Sequence, residues 1–142
     1  MSDRSLLLSL RPRFAEAILS GTKTVELRRR PVKASPGTVI VLYASAPTMA
    51  VVGTAVLVDV VALSPHTAWR RYRHTLSLSW AEFSEYLTGA EQAHLLRLDD
   101  VKELDQPLTL QTLRASAPFQ PPQSFRYLHA TDPHQLRALA RR

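Results

Sequence analysis

The sequence predicts one α+β domain, mainly β, whose strands close as a β-barrel flanked by small helices. Three observations carry that prediction. A chain of 142 residues has room for one core rather than two. A strand–helix opening is followed by runs rich in β-branched residues, with no second strand–helix repeat that would build a doubly wound sheet. Short turns bearing Pro or Gly separate those runs, as in a sheet that folds back on itself.

The elements follow in order. Residues 5–11 form an apolar run that suits a short buried strand, ended by Pro12, which has no N–H to donate. Pro12 then sits in the first turn of a helix over 13–19, with Phe14, Ala17 and Ile18 at helical spacing and Ser20-Gly21 as its stop. Residues 22–30 alternate, which places Thr24, Glu26 and Arg28 on one face of a strand and Val25 and Leu27 on the other. A proline-bearing loop covers 31–37. Strands over 38–45 and 50–61 are joined by the turn Ala46-Pro47-Thr48, with Gly53 a candidate bulge.

Ser64-Pro65 opens a helix to Tyr72, and Ser79 with Glu82 forms a capping box for a second, stopped by Gly89. Residues 94–98 and 101–104 read as two further strands. Pro107 opens a short helix or turn ending by Ser116. Pro118, Pro121 and Pro122 force an extended link to a last strand over 124–128. Asp132-Pro133 starts a terminal helix over 134–141, so that 132–142 is a helix and tail of the single domain spanning 1–142.

Composition narrows the function. With 45% apolar and 21% charged residues the chain reads as an ordinary globular protein. It has no cysteine, which excludes disulfides, thiolate catalysis and cysteine-rich zinc sites. The longest apolar stretch, 50–63, is interrupted by Gly53, Thr54 and Asp59, so no membrane span is expected, and residues 6–10 are too short for a secretory signal. A cytoplasmic location is the expectation. The net charge of +6 favours polyanionic partners and predicts that salt weakens their binding.

The informative segment runs from Ser9-Leu10-Arg11-Pro12 to Arg30. On its strand, Thr24, Glu26 and Arg28 project together, about 6–7 Å apart. If the first two strands are neighbours, Ser9, Arg11, Thr24, Glu26 and Arg28 converge on one polar surface where the cations meet phosphate and the carboxylate acts as acceptor or base. The same pattern on the solvated face of an edge strand needs no ligand.

With its G-x-K-T-x-E-x-R core at Gly21-Thr22-Lys23-Thr24-Val25-Glu26-Leu27-Arg28, this segment resembles the ASCH domain family of the PUA-like superfamily. Val41 through Pro47 followed by Val52-Gly53 resembles that family's barrel hairpin, and Pro121 through Leu128 its closing strand in longer prokaryotic members. The resemblance implies a PUA-like/ASCH β-barrel with a cleft between barrel and first helix, lined by the motif strand, and a role with RNA. One bacterial branch hydrolyses N4-acetylcytidine with the motif lysine, here Lys23, a threonine whose position is occupied by Glu26, and a distant glutamate for which Asp59 is the nearest acid. Lys23 and Glu26 are therefore the candidate catalytic pair. Other members are metal-assisted ribonucleases, but His, Asp and Glu here show no metal-ligand spacing, so neither metal nor cofactor is expected.

Tyr43 and Ser45 alternate with Leu42 and Ala44 and are expected to face the same cleft as Glu26, with Tyr43 either stacking on a base or packing its ring on the barrel. Trp69 through His74 interleaves aromatics with cations, a pattern that suits single-stranded nucleic acid; Trp69 and Tyr72, three apart on a helix, suit burial against the barrel better, with the arginines solvated. The five histidines are scattered. Two functions follow, with a regulatory module that binds a small metabolite or a partner protein as a weaker third. The first is a module that binds RNA or other single-stranded nucleic acid through Ser9, Arg11, Lys23, Thr24, Glu26, Arg28, Tyr43 and Ser45. The second is a small hydrolase acting on RNA or a modified nucleoside, with Lys23 as the activated or electrophilic amine and Glu26 as general base.

Overall fold

A computed structural model describes residues 4–141. Arg142, the end of the expected tail, lies outside the described residues. Strand β1 (Leu6–Leu10) leads into helix α1 (Pro12–Ser20), which has Pro12 in its first turn and ends at Gly21, whose φ of 85° lets its N–H return to the Ile18 carbonyl. Strands β2 (Val25–Arg28), β3 (Val39–Ala44) and β4 (Ala50–Leu63) follow. Helices α2 (Pro65–Tyr72) and α3 (Trp80–Tyr86) precede the long strand β5 (Ala93–Thr109), and α4 (Leu110–Ser116), β6 (Phe125–Tyr127) and α5 (His134–Leu139) complete the chain. The expected capping box on α3 is present, with Ser79 and Glu82 satisfying each other's backbone N–H.

The six strands make one sheet in the order β2-β5-β4-β3-β1-β6. Only β1 and β3 run parallel; every other pair is antiparallel. The 14 residues of β4 and the 17 of β5 bend together at register shifts near Gly53, Ala55 and Val58, and the bends roll the sheet into a half barrel. Rolling brings the edge strand β2 back towards β1 and β6. No strand ladder joins β2 to either of them among the described residues.

Two expectations change. Residues 94–98 and 101–104 belong to the single strand β5, because Asp100 takes a left-handed conformation (φ 46°) that makes a bulge instead of a turn. Pro107 opens no helix. It lies in β5 between the paired residues Glu103 and Leu108, where no ladder N–H is asked of it, and α4 starts only at Leu110, capped by Thr109. The terminal helix forms, yet Asp132 does not cap it. Its carboxylate accepts instead from both terminal nitrogens of Arg126 (2.9 and 2.8 Å) and from the His129 N–H (2.6 Å).

Apolar side chains separate into three clusters. Leu6, Leu8, Leu10, Ile40, Leu42, Ala55 and Leu96 fill the inside of the curl beneath α1. Leu7, Val41, Tyr43 and Val51 pack on the other face against Leu113 of α4 and Leu136 of α5. Val25, Leu27 and Leu95 are covered by Ala68 of α2 and Phe83 of α3. Among the described residues no helix is long and apolar enough to cross a membrane.

Two expectations can be measured. A Cβ on Gly53 would stand 2.6 Å from the Lys102 carbonyl oxygen and 2.7 Å from a Leu19 methyl. Gly53→Ala should therefore cost about 1–3 kcal/mol, the usual penalty of overpacking, read from the urea midpoint. At the β6–α5 corner, burial by itself pushes the Asp132 carboxyl up, but the Arg126 and His129 hydrogen bonds outweigh it and hold the group below its ordinary value. A depressed carboxyl contributes stability above its unfolded pKa, and loses it as pH falls through the folded one. Asp132→Ala should cost about 3 kcal/mol at pH 7, and its deficit against the native chain should shrink in urea titrations below about pH 4.

Candidate functional site

Strand β2 sorts its side chains as the alternation predicts. Val25 and Leu27 turn outward under α2 and α3, and Glu26 and Arg28 turn into the curl, opposite Leu96 and His94 of β5. The expected open polar face is nevertheless closed: Glu26 is 7% exposed and Arg28 9%. Thr24 does not share their environment. It precedes β2, its N–H and carbonyl are taken by Thr75 and Leu98, and the residue is exposed. Lys23 joins them instead, because its N–H still bonds the Ala17 carbonyl at the end of α1 and the chain there is not yet pleated.

The result is a row of alternating charges. The Lys23 ammonium, on a residue only 2% exposed, donates to the Leu76 carbonyl at 2.6 Å and stands 3.3 Å from Glu26 Oε1 and 5.0 Å from the centre of the Phe14 ring. Glu26 Oε2 meets Arg28 Nη2 at 2.8 Å. Arg28 then reaches across the seam of the half barrel. Its Nη1 donates to Ser124 Oγ at 2.7 Å and its Nη2 to the Ser9 carbonyl at 3.1 Å, while its Nε is buried without a partner. Ser9 completes the seam: its hydroxyl donates to the Pro122 carbonyl at 2.7 Å and its N–H to the Ser124 carbonyl at 2.9 Å. Strands β1 and β2 are not neighbours in the sheet, as convergence was expected to require; closure brings Arg28 to Ser9 in their place.

Burial lowers the Lys23 pKa from its ordinary value, the charge of Glu26 opposing and Arg28 reinforcing that shift. Lys23 therefore gives up its proton more readily than a surface lysine. Both oxygens of Glu26 are engaged by cations, so as it stands the carboxylate is an anchor rather than an unoccupied base.

At the C-terminal end of β1 the seam opens to solvent. Arg11 is exposed there, preceding α1, and its side chain has no partner among the described residues. Ser45, half-buried, lies beside it through the parallel pairing of β1 and β3 and donates its N–H to the Leu10 carbonyl. Tyr43 does not face Glu26. Leu42 and Ala44 hold the face turned into the curl, and Tyr43 packs its ring on the opposite side, 6.5 Å from that of Phe119. Burial raises its phenol pKa, with Arg114 opposing. Asp59 accepts from Nε and Nη2 of Arg97 and points away from the row. Trp69 packs against Trp80 and Phe83, leaving Arg70, Arg71 and Arg73 exposed. Among the described residues no three His, Asp or Glu side chains could share a metal ion.

Ser124 and the Leu76 carbonyl belong to this site and carry no local signal in the sequence, since they lie far along the chain from Arg28 and Lys23 and only the fold brings them together. Phe14 reaches Lys23 from α1, within the motif segment itself.

Comparison with known proteins adds a family. Residues 6–116 match the family described as Domain of unknown function (DUF365). The ASCH domain-containing ribonuclease of Zymomonas mobilis is 36% identical over 137 residues, which cover 96% of this chain and 92% of that protein. The crystal structure of ASCH from Zymomonas mobilis superposes with a TM-score of 0.87 at 36% identity, over 96% of this chain and 95% of that one. Human THYN1 protein in complex with 5-methylcytosine containing DNA superposes at 0.58 over 99% of both chains, with 13% identity, a likeness of fold alone.

The row makes its own stability test. Glu26→Ala leaves two buried cations without their shared anion and should cost about 3–5 kcal/mol in urea unfolding. Replacing the whole row, as Lys23→Met, Glu26→Leu and Arg28→Met together, should recover most of that loss, since apolar side chains of similar size need no partner.

Proposed function

The chain belongs to the ASCH family, and from that premise we propose that it binds RNA at the seam between β1, β2 and β6 and cleaves the bound strand. The observation that carries this reading is the Arg28 guanidinium. It is fixed by Glu26, Ser9 and Ser124 at the end of β1, where Arg11 stands exposed and unpaired. Two guanidiniums and a hydroxyl around one opening are the donors that grip a phosphate and stabilise charge as it is transferred. The net charge of +6 steers a polyanion towards them.

In this reading Arg11 and the outer edge of Arg28 contact phosphate, with Ser124 and Ser45 at the rim. Lys23 and Glu26 act from behind as positioning residues, since their head groups are shut away from solvent. Cleavage rather than binding alone is supported by a relative of nearly the same length, 36% identical, that is named a ribonuclease. Hydrolysis of a modified nucleoside is a second reading. The lowered pKa of Lys23 favours it, and it requires the substrate to reach behind the seam.

Purified protein incubated with short single-stranded RNAs and with N4-acetylcytidine, followed by chromatography and by anisotropy at several salt concentrations, tests both. We expect RNA fragments, and binding that weakens with salt. Arg11→Ala should reduce affinity across all sequences and lower the salt slope by about one. Release of acetate with intact RNA would favour the second reading, and salt-independent binding without product would refute the first.

A further inference from the structure

Beyond the seam, the sheet leaves a second opening that the RNA reading does not use. A cavity of about 500 Å³ lies where β2 ends and β5 begins, lined by Arg29, Arg30, Ser64, Glu91, Gln92 and His94. It shares no residue with the Arg11–Arg28 opening.

Its groups are arranged for a ligand. His94 is 9% exposed, lines the cavity, and has no hydrogen-bond partner for its ring among the described residues. Its ring nitrogens remain in contact with solvent, so they are open to a ligand. Arg29 is held by its Nη1, which donates to the Tyr86 carbonyl at 2.7 Å and the Thr88 carbonyl at 2.8 Å. Arg30 is exposed and pairs with nothing among the described residues, and the side chains of Glu91 and Gln92 are likewise unengaged.

We propose that this cavity is a second binding site, for a single nucleotide carrying a phosphate. The hollow is open to solvent and its lining is mostly polar, and its volume far exceeds what an inorganic anion fills. Arg30, with the fixed Arg29 beside it, supplies the phosphate contact. The imidazole of His94 and the guanidinium planes offer flat faces on which a base stacks, and Gln92 and Glu91 meet the donors and acceptors of a base edge. The nucleotide is either free or a residue of a strand that extends from the seam. The two sources share the chemistry and differ in what competes for it.

The test is a titration of isotope-labelled protein with adenosine 5′-monophosphate, uridine 5′-monophosphate, adenosine and inorganic phosphate. We expect both nucleotides to shift His94 and Gln92 resonances saturably, with adenosine and phosphate each binding at least about tenfold more weakly. Arg30→Ala, which removes an exposed and unpaired side chain, should weaken nucleotide binding about tenfold with the melting temperature unchanged. Arg11→Ala, which tests the seam, should leave it unaltered. Displacement of the mononucleotide by a 5′-phosphorylated trinucleotide would assign the site to the strand, and the absence of displacement would assign it to free nucleotides. No saturable shift, shifts centred on Arg11 and Ser124, or binding indifferent to Arg30→Ala would each overturn the proposal. So would phosphate binding as tightly as the nucleotides.

Discussion

The carboxylate of Glu26, held between the ammonium of Lys23 and the guanidinium of Arg28, is what the architecture turns on. A half barrel whose edges do not pair has an open seam, and the backbone alone cannot shut it. Arg28 crosses that seam to Ser124 and Ser9, and Glu26 holds Arg28 at the angle from which it can do so. Lys23 in turn fastens Glu26 to the segment after α2 through the Leu76 carbonyl. Three buried charges are a costly way to join two edges, because each must be drawn out of water. What the row provides is direction: a guanidinium with fixed geometry at the one place where the sheet opens to solvent.

The rest of the fold serves that closure. Bends in β4 and β5 set the curvature that brings β2 opposite β1 and β6, and Gly53 lets β4 approach β5 and α1 closely enough to bend. Pro121 and Pro122 keep the chain before β6 extended, so that the Pro122 and Ser124 carbonyls meet the Ser9 hydroxyl and N–H. The polarity of the two mouths follows from β2 as well. Arg28, the last residue of β2, faces the seam, and the next two residues, Arg29 and Arg30, line the neighbouring cavity at the same end of the strand.

Much of this was legible in the sequence, for local reasons. Turn and cap residues act within a few positions, which is why Gly21, the Ser79–Glu82 box and the Ser64 cap were found where they form. The alternation of Val25, Glu26, Leu27 and Arg28 fixed which side chains point into the curl. Burial was not legible, since a strand with charges on one face reads as solvated until something covers it. Nor was the phase of β3 relative to β2. Alternation states that Tyr43 opposes Leu42 without stating which of them faces Glu26, and the packing of α1 and α4 decides it. Ser124 entered the site through closure alone, 96 positions from Arg28.

Hydrogen exchange at the Ser9 amide is the most direct measure of the seam, because that N–H bonds the Ser124 carbonyl and so reports on the strand Arg28 fastens. In Arg28→Met we expect the Ser9 amide to exchange at least about tenfold faster, while amides in the middle of β4 keep their native rates. Equal rates in the two proteins would show that β6 stays seated without Arg28, and would contradict the view that the charged row closes the sheet.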